Sequence, residues 1–209
     1  MKILDLENWN RKEHYHFFSQ YDEPFFGLVS EIDCTIAYQV AKNNNYSFFA
    51  YYLHKSIRAA NRIEEFRYRI DDDKVVVYDE IHASSTISRE DETFAFSHIP
   101  YHDDFNAFDI SLKKEIENVR NSVGLRATIN ENRNDVIQFS SIPWSKFTGL
   151  THARHFKYAD SIPKITFGKL FSRDEQKIMP VSINVHHGLA DGLHVANYLN
   201  LFQELMDEG

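Results

Sequence analysis

The chain has 209 residues, 43% hydrophobic and 26% charged, which is enough for one domain with a substantial core and excludes a disordered chain. Its formal net charge of −8 excludes a general nucleic-acid binder, because such a protein needs a basic face. Seventeen Phe and eleven Tyr supply large apolar areas suited to a ligand pocket.

The first residues and the single cysteine bear on location. Residues 1 to 7 are too acidic, and too poor in apolar residues, for a signal peptide, and the chain lacks the roughly 18-residue apolar stretch that spans a bilayer. Cys34, the only cysteine, cannot form an intrachain disulfide. The sequence therefore predicts a cytoplasmic protein that does not enter a membrane.

In the N-terminal half, the pattern predicts a short helix from Asn10 to Tyr21, a strand from Phe25 to Ile32 and a second helix ending near Lys42. Apolar residues at helical spacing predict a long helix from Ser47 to Ile63, with Ser47 as its N-cap. Two β-prone runs, 66–70 and 75–78, are separated by four polar residues and predict a hairpin.

In the C-terminal half, strands are expected at 80–88, 93–98, 136–141, 164–171 and 177–185. A helix from Asp104 to Asn121 precedes a polar loop from Asn130 to Asp135, and a final helix ends the chain. Because helices alternate irregularly with strands, the pattern favours an α+β two-layer sandwich, in which helices cover a mixed β-sheet, over a doubly wound sheet. No repeat or linker divides the chain, so residues 1–209 are expected to form a single domain.

The segment from Val185 to Gly192 is the strongest candidate for chemistry. Residues 181–185 alternate apolar and polar like a half-buried strand, and helical spacing follows, with Asp191 placed to cap the helix. A histidine between these elements is held by the sheet and remains reachable by a ligand. Two other readings stay open: a structural histidine, or a metal site made of His187, Asp191 and His194 at i, i+4 and i+7. The chain supplies no cysteine or acidic cluster to support a metal, so none is expected.

Five segments carry a resemblance that spans essentially the whole chain. In chain order they are Asn8-Trp9-Asn10-Arg11-Lys12-Glu13-His14, Ile99-Pro100-Tyr101, Ser140-Ser141-Ile142-Pro143-Trp144, Ile165-Thr166-Phe167-Gly168-Lys169 and His186-His187-Gly188-Leu189-Ala190-Asp191-Gly192. They resemble, in the same order, motifs of the chloramphenicol acetyltransferases. The short His-x-x-x-Asp-Gly core is shared with acyltransferase subunits of 2-oxo-acid dehydrogenase complexes, which are larger multidomain chains.

The resemblance implies a fold like that of the family and a direct acetyl transfer from acetyl-CoA to an alcohol in a ternary complex. His187 matches the general base, Ser140 the hydroxyl that stabilises the oxyanion, and Thr166 a threonine that holds an active-site water. Asp191 matches an aspartate paired with the arginine of the N-terminal motif, here Arg11. Acetyl-CoA is then a cosubstrate, and no permanently bound cofactor is expected.

The same resemblance implies an acceptor pocket and a cosubstrate contact. The pocket positions are Phe17, Phe18, Phe94, Phe96 and Leu150, and Lys169 matches a lysine that contacts CoA. Departures from the family are concentrated here: Phe18 replaces a tyrosine, Phe96 a small residue and Leu170 a tyrosine near CoA, while Leu150, His152 and Lys164 replace more apolar or aromatic residues. The family also implies a homotrimer with active sites between subunits.

The resulting expectation is an acetyl-CoA-dependent O-acetyltransferase that inactivates chloramphenicol. Two alternatives are the same transfer to another small hydroxylated acceptor and a non-catalytic relative that only binds a CoA ester or a hydrophobic ligand. The joint presence of His187, Ser140, Thr166, Asp191 and Arg11 disfavours the non-catalytic reading, because such a protein has no chemical need for the set.

Overall fold

The computed structural model of the protein describes residues 1–131, 133–154 and 160–208. Their strands are β1 (Lys2–Ile3), β2 (Phe25–Asp33), β3 (Tyr68–Asp71), β4 (Lys74–Val77), β5 (His82–Ser88), β6 (Phe94–Phe96), β7 (Val136–Ser141), β8 (Lys164–Phe167), β9 (Phe171–Arg173) and β10 (Gln176–His186). Their α-helices are α1 (Lys12–Phe18), α2 (Thr35–Asn43), α3 (Phe48–Arg62), α4 (Phe105–Arg120) and α5 (Gly192–Asp207), and short 3₁₀ helices cover Glu64–Arg67 and Ala127–Asn130.

The strands build one large mixed sheet and one small antiparallel sheet. The large sheet has the order β2-β10-β8-β7-β5-β6, and β9 pairs with β10 beside it. In this sheet β5, β7 and β8 run parallel to one another, whereas the remaining pairs are antiparallel. The small sheet has the order β1-β4-β3. The α+β prediction with a mixed sheet is therefore confirmed.

The two faces of the large sheet differ in chemistry, because successive side chains of a strand point to opposite sides. One face is apolar and buried; its side chains include Ile137 and Phe139 of β7, Ile165 and Phe167 of β8, and Val181, Ile183 and Val185 of β10. The other face is polar; its side chains include Gln138 and Ser140 of β7, Lys164 and Thr166 of β8, and Ser182, Asn184 and His186 of β10.

Helices cover the apolar face and form the second layer. Buried side chains of α3, α4 and α5, such as Ile57, Phe108 and Phe202, belong to the same hydrophobic core as the apolar strand residues. The start of α3 is capped as the sequence predicts, with Ser47 accepting from the Ala50 amide. None of the helices in the described ranges is long and apolar enough to cross a membrane.

Several element bounds differ from the sequence prediction. The first helix is shorter than Asn10 to Tyr21, and Phe66 and Arg67 lie in a 3₁₀ helix rather than in the hairpin strand. The strand expected at 164–171 ends at Phe167, because the residue opposite Gly168 is Pro180, which accepts from the Gly168 amide at 2.8 Å but has no N–H to continue the ladder. The approach is close there: a Cβ on Gly168 would lie 2.6 Å from Pro180 Cγ. Residue 132 of the predicted polar loop lies outside the described residues.

One buried arginine connects the two sheets. Arg69 of β3 is fully buried and donates hydrogen bonds to the carbonyl oxygens of Phe66, Tyr68, Asn134 and Val136. The last two carbonyls lie at the start of β7 in the large sheet. A cation that is costly to bury is therefore held by four backbone acceptors, and it fixes the hairpin against the sheet.

Candidate active site

His187 is the first residue after β10, at the junction that leads into α5. Its amide donates to the Pro24 carbonyl at 2.8 Å, and its own carbonyl accepts from Arg11 Nη2 at 3.1 Å. The imidazole stacks on the Phe18 ring at 4.0 Å between centroids and lies 4.5 Å from the Phe26 ring. Backbone hydrogen bonds and two aromatic rings thus fix the position and orientation of a half-buried histidine.

An ion pair between Arg11 and Asp191 stabilises the junction between β10 and α5. Arg11 Nη1 lies 2.6 Å from Asp191 Oδ2, and the arginine is only 7% exposed. Burial alone would raise the pKa of Asp191, but the Arg11 hydrogen bond and the His194 and Arg11 charges outweigh burial, so the pKa lies below its usual range. The predicted pairing of Arg11 with Asp191 is present, and the same guanidinium also holds the His187 backbone.

Asp191 is also the N-cap of α5, as its place in the sequence predicts. Its side chain accepts from the Leu193 amide at 3.0 Å, while His194 Nδ1 accepts from the Asp191 amide at 3.0 Å and completes a capping box. His194 Nε2 faces Glu65 Oε1 at 3.3 Å. His194 is therefore occupied in the cap and is not directed with His187 toward a shared ligand. Within the described residues there is no group of three or more His, Cys, Asp or Glu side chains that could hold a metal ion.

His186, the neighbour of His187, is a buried structural histidine. Its Nδ1 accepts from the Gly188 amide at 3.1 Å, and its ring packs edge-on against Phe25. Burial, aided by the nearby positive charge of Arg154, lowers the pKa of His186 to about 4, so it is neutral at physiological pH. A Cβ on Gly188 would approach His186 Cε1 to 3.1 Å and Tyr15 Cα to 3.2 Å, which explains the glycine at this tight turn.

Ser140 and Thr166 lie side by side on the polar face. Ser140 of β7 is in register with Thr166 of β8, and Thr166 is in register with Ser182 of β10. The Ser140 hydroxyl lies 3.4 Å from Thr86 Oγ1, and the neighbouring Ser141 points to the opposite face, where it contacts Tyr52. Thr166 Oγ1 is buried and has no hydrogen-bond partner among the described residues.

Ser140 opens into a cavity of about 310 Å³ over β5, β6 and β7. Phe94 and Phe96, two of the predicted acceptor-pocket residues, line this cavity together with His152 and Lys164. Phe17 and Phe18 belong instead to the His187 region, with Phe17 59% exposed and its ring 5.1 Å from that of Phe18. The four predicted pocket phenylalanines therefore fall into two separate groups within one chain.

A second cavity of about 570 Å³ lies over β2, β8 and β10 on the same face. It contains Leu150, the remaining predicted pocket residue, and it also meets His152 and Lys164. A Cβ on Gly27 would fall 2.5 Å from Asn184 Oδ1, so the glycine leaves room for that amide on the cavity floor. We refer to the first cavity as the serine cavity and to the second as the β2 cavity.

Lys169 lies in the turn between β8 and β9, with an exposed side chain. Its amide donates to the Ser145 carbonyl at 2.9 Å, which brings the turn against the segment that carries Trp144, itself 75% exposed. Lys146 lies over the Phe171 ring at 3.9 Å in the same region. The exposed side chains of Lys146, Lys169 and Trp144 thus lie near the C-terminal end of β8, the strand that carries Thr166.

The distance between His187 and Ser140 within one chain is large. Register places Ser140 two strands from Ser182, and His187 lies five residues beyond Ser182. At about 3.3 Å per residue and about 4.8 Å per strand, their Cα atoms are roughly 19 Å apart. A base and an oxyanion donor each need to lie within about 3 Å of the reacting group, so His187 and Ser140 of one chain are too far apart to serve one reacting group in these two roles.

Two contacts around the site were not found from the sequence. Phe26 lies against His187, and Arg154 lies 3.4 Å above the Phe25 ring. The first contact depends on the pairing of β2 with the end of β10, where Val185 is opposite Phe26 and His186 is opposite Phe25. The predicted strand at Phe25 indicated an element here, but nothing in the local pattern says which strand it joins.

The fold is shared by acetyltransferases more widely. A probable dihydrolipoamide acetyltransferase from Listeria monocytogenes 4b F2365 superposes with a TM-score of 0.68 at 14% identity, covering 99% of this chain and 93% of that one. At this identity the likeness establishes the fold alone.

More specific relatives cover nearly the whole chain. Chloramphenicol acetyltransferase 3 of Escherichia coli is 30% identical over 207 residues, which cover 97% of this chain and 95% of the relative. A solved chloramphenicol acetyltransferase structure superposes with a TM-score of 0.92 at 34% identity, covering 98% of this chain and 99% of that one. The model of the chloramphenicol acetyltransferase family matches residues 1–203. The chain belongs to this acyltransferase family.

Proposed function

We propose that the chain transfers the acetyl group of acetyl-CoA to a hydroxyl of chloramphenicol, the activity that gives its relatives their name. The observation that carries the proposal is the fixed position of the His187 side chain directly after β10. Its backbone is held at the amide and at the carbonyl, its ring lies against Phe18 and Phe26, and its Nδ1 is buried without a partner among the described residues. Nε2 is then the ring nitrogen that meets a substrate.

In this mechanism His187 is the general base. Nε2 takes the proton of the acceptor hydroxyl while the oxygen attacks the thioester carbonyl of acetyl-CoA. The tetrahedral intermediate then expels the CoA thiolate, and the imidazolium returns the proton to the sulfur. No acyl-enzyme forms, which agrees with Cys34 being buried with a strongly raised thiol pKa due to burial.

Ser140 and Thr166 are the proposed partners of the developing oxyanion. The Ser140 hydroxyl faces the serine cavity and can donate to the former carbonyl oxygen, a contact that contributes about 10²- to 10³-fold in rate in other enzymes. Thr166 Oγ1 is buried without a partner among the described residues, and a bound water would satisfy it. That water would lie beside Ser140, because the two residues are in register.

The remaining matched residues have supporting roles in the proposal. Arg11 and Asp191 position the His187 backbone, and the two aromatic groups, Phe17 with Phe18 and Phe94 with Phe96, enclose the acceptor together with Leu150. Lys169 attracts the phosphates of CoA by its exposed charge. We place the reaction in the cytoplasm and treat residues 1–209 as one acetyltransferase domain.

We infer a homotrimer whose active sites lie between subunits. The separation of roughly 19 Å between His187 and Ser140 in one chain supports this inference, because two copies must contribute if both residues act on one acceptor. A three-fold ring achieves this by a head-to-tail interface that closes on itself. The two groups of aromatic pocket residues would then come together across the interface.

The decisive experiment measures CoA thiol release with acetyl-CoA and chloramphenicol. We expect turnover by the wild-type chain, none by His187→Ala, and a kcat reduced about 10²- to 10³-fold by Ser140→Ala with little change in acceptor KM. Turnover only with a different hydroxylated acceptor would overturn the substrate assignment and favour the alternative of the same acetyl transfer to another small alcohol.

Subunit complementation tests the shared site. Co-expressing His187→Ala and Ser140→Ala chains in equal amounts should restore about one quarter of wild-type activity, because random mixing pairs an intact His187 with an intact Ser140 at that fraction of interfaces. Activity no higher than that of the separate variants, in oligomers shown by sedimentation to contain both chains, would refute a site built from two subunits.

A further inference from the structure

The two cavities of the polar face share two lining side chains, which we call the shared wall. They are His152 and Lys164, which line both the serine cavity and the β2 cavity. Lys164 is the first residue of β8, and His152 lies between β7 and β8. Both replace more apolar or aromatic residues of the family. A ligand that fills the serine cavity therefore meets polar nitrogen atoms on the side away from Phe94 and Phe96.

Lys164 brings a buried charge to this wall. The residue is 7% exposed, its Nζ lies 2.5 Å from Asp160 Oδ2, and it approaches the Ile162 carbonyl at 3.3 Å. The ammonium also lies 4.9 Å from the centroid of the Phe25 ring, and of its three N–H donors only two have oxygen acceptors among the described residues. Burial lowers the pKa of Lys164, while the Asp160 carboxylate opposes that shift and favours the charged form.

His152 adds a second unsatisfied nitrogen. Its Nε2 is buried and has no hydrogen-bond partner among the described residues. Burial, followed by the charges of Lys164 and Arg154, lowers the pKa of His152, so the ring is neutral at physiological pH. A buried polar atom without a partner is unfavourable, and a ligand that supplies the missing partner gains that energy.

Lys164 of the shared wall lies about one aromatic ring away from Ser140, the residue proposed to contact the reacting carbonyl. Lys164 is in register with Gln138, and Thr166 with Ser140, so Lys164 is one strand across and two residues along from Ser140. Their Cα atoms are then about 8 Å apart, a distance that one substituted aromatic ring can span.

We propose that His152 and Lys164 form a specificity-determining site that binds an oxygen hydrogen-bond acceptor on the end of the substrate remote from the reacting hydroxyl. In chloramphenicol this group is the nitro group on the phenyl ring. The inference rests on the proposed function and adds to it a preferred class of acceptor: small aromatic alcohols that carry a nitro, carbonyl or carboxylate oxygen opposite the hydroxyl.

The test compares chloramphenicol with its analogue that has hydrogen in place of the nitro group. We expect wild-type kcat/KM to favour the nitro compound, and Lys164→Met to reduce that preference roughly 10- to 100-fold, the range for losing a hydrogen bond to a charged group. His152→Leu should reduce it less, because a neutral donor is weaker. In both variants, KM for acetyl-CoA should stay unchanged.

A matched control is available on α4. Lys113 and Asp109 form an ion pair with the same i, i+4 spacing and the same 2.5 Å distance as Asp160 and Lys164, and neither residue lines either cavity. Lys113→Met should leave the ratio of the two acceptors unchanged. The double variant Asp160→Asn, Lys164→Met removes the unpaired carboxylate, so it tests the same contact if Lys164→Met alone does not fold.

Calorimetric binding of the two acceptors without acetyl-CoA separates this inference from the proposed function. Loss of the nitro preference in binding by Lys164→Met supports the site even if the wild-type chain does not turn over chloramphenicol. An equal preference in wild type and in the folded Lys164 variants, in binding or in kcat/KM, would overturn it while leaving the acetyl transfer intact.

Discussion

Phe167 and Thr166 are neighbours on β8, and both are 1% exposed, yet they belong to two different regions of the molecule. Phe167 points into the core beneath the helices, where its ring packs against Tyr52, Phe139 and Phe202. Thr166 points to the polar face and leaves a buried hydroxyl unpaired among the described residues. The contrast indicates that the apolar face stabilises the fold, whereas the polar face retains unfavourable groups that a substrate or a water would satisfy.

The largest effect is expected at the apolar face. Phe167→Ala should lower the free energy of unfolding by about 3–5 kcal/mol, because it removes a buried ring and leaves a cavity among neighbours that cannot close it. Urea unfolding monitored by circular dichroism measures the change. A loss below about 1 kcal/mol would mean that the apolar face contributes much less than its burial implies.

A pH-dependent effect is expected at His186 on the polar face. Its pKa is about 4 in the folded chain and 6.5 when solvated, so the unfolded chain binds a proton between these values and the folded chain does not. Stability attributable to His186 is therefore full above pH 6.5 and falls by about 3 kcal/mol as pH drops to 4. Chemical unfolding of His186→Gln should show a shallower pH dependence than wild type.

Glutamine is suitable at this position because it does not titrate in this pH range and still carries an amide oxygen that can accept a hydrogen bond. The same substitution at the exposed His14 serves as the control and should leave the slope unchanged. Parallel pH profiles for wild type and His186→Gln would show that His186 is not the buried neutral group inferred for this face.

Removal of the ion pair between Arg11 and Asp191 should lower stability by a smaller amount. Asp191→Asn leaves the buried Arg11 guanidinium without its charge partner and should lower the free energy of unfolding by about 2 kcal/mol, less than for a fully buried pair because Asp191 is partly exposed. Thermal unfolding measures it. Activity should fall further than stability, because Arg11 also holds the His187 carbonyl.

Asp79 provides the matched control for this substitution. It pairs with the N-terminal amine at the same 2.6 Å distance but on an exposed surface. Asp79→Asn should leave both stability and activity at the wild-type level. If Asp191→Asn and Asp79→Asn have the same stability and activity, the Arg11–Asp191 ion pair does not position the turn that carries His187.

The smallest change in stability is expected at Thr166. Thr166→Val removes a buried hydroxyl without a partner among the described residues, so the free energy of unfolding should change by less than about 1 kcal/mol in either direction. The kcat should nevertheless fall, and Thr166→Ser should retain activity because it keeps the hydroxyl. A valine variant with full kcat would remove Thr166 from the proposed mechanism.

The apolar face and the helix caps could be predicted from the sequence, because both follow from local periodicity. The alternation at 181–185 identified the two faces of β10, and Ser47 and Asp191 marked the starts of α3 and α5. The pairing of Arg11 with Asp191 came from the family resemblance, since residues 180 positions apart carry no local signal of contact.

The arrangement of the site could not be predicted in the same way. Strand order decides that Phe26 lies beside His187 and that Ser140 lies two strands away, and a local pattern does not determine strand order. The end of β8 at Phe167 could not be predicted for a related reason, since it depends on Pro180 of another strand, which has no N–H to pair with Gly168. Lys164 and His152 stood out only as departures from the family, and their shared wall between two cavities required the folded chain.

Arg69 has a consequence for how this protein can change during evolution. All four of its acceptors are main-chain carbonyl oxygens, so the side chains at Phe66, Tyr68, Asn134 and Val136 take no part in these bonds. These hydrogen bonds therefore place no requirement on which side chains stand at the four positions, provided the backbone keeps its path. Phe66, Tyr68 and Val136 are buried and constrained by packing, so among the partner positions homologous chains should vary most at Asn134, and more there than at the arginine itself.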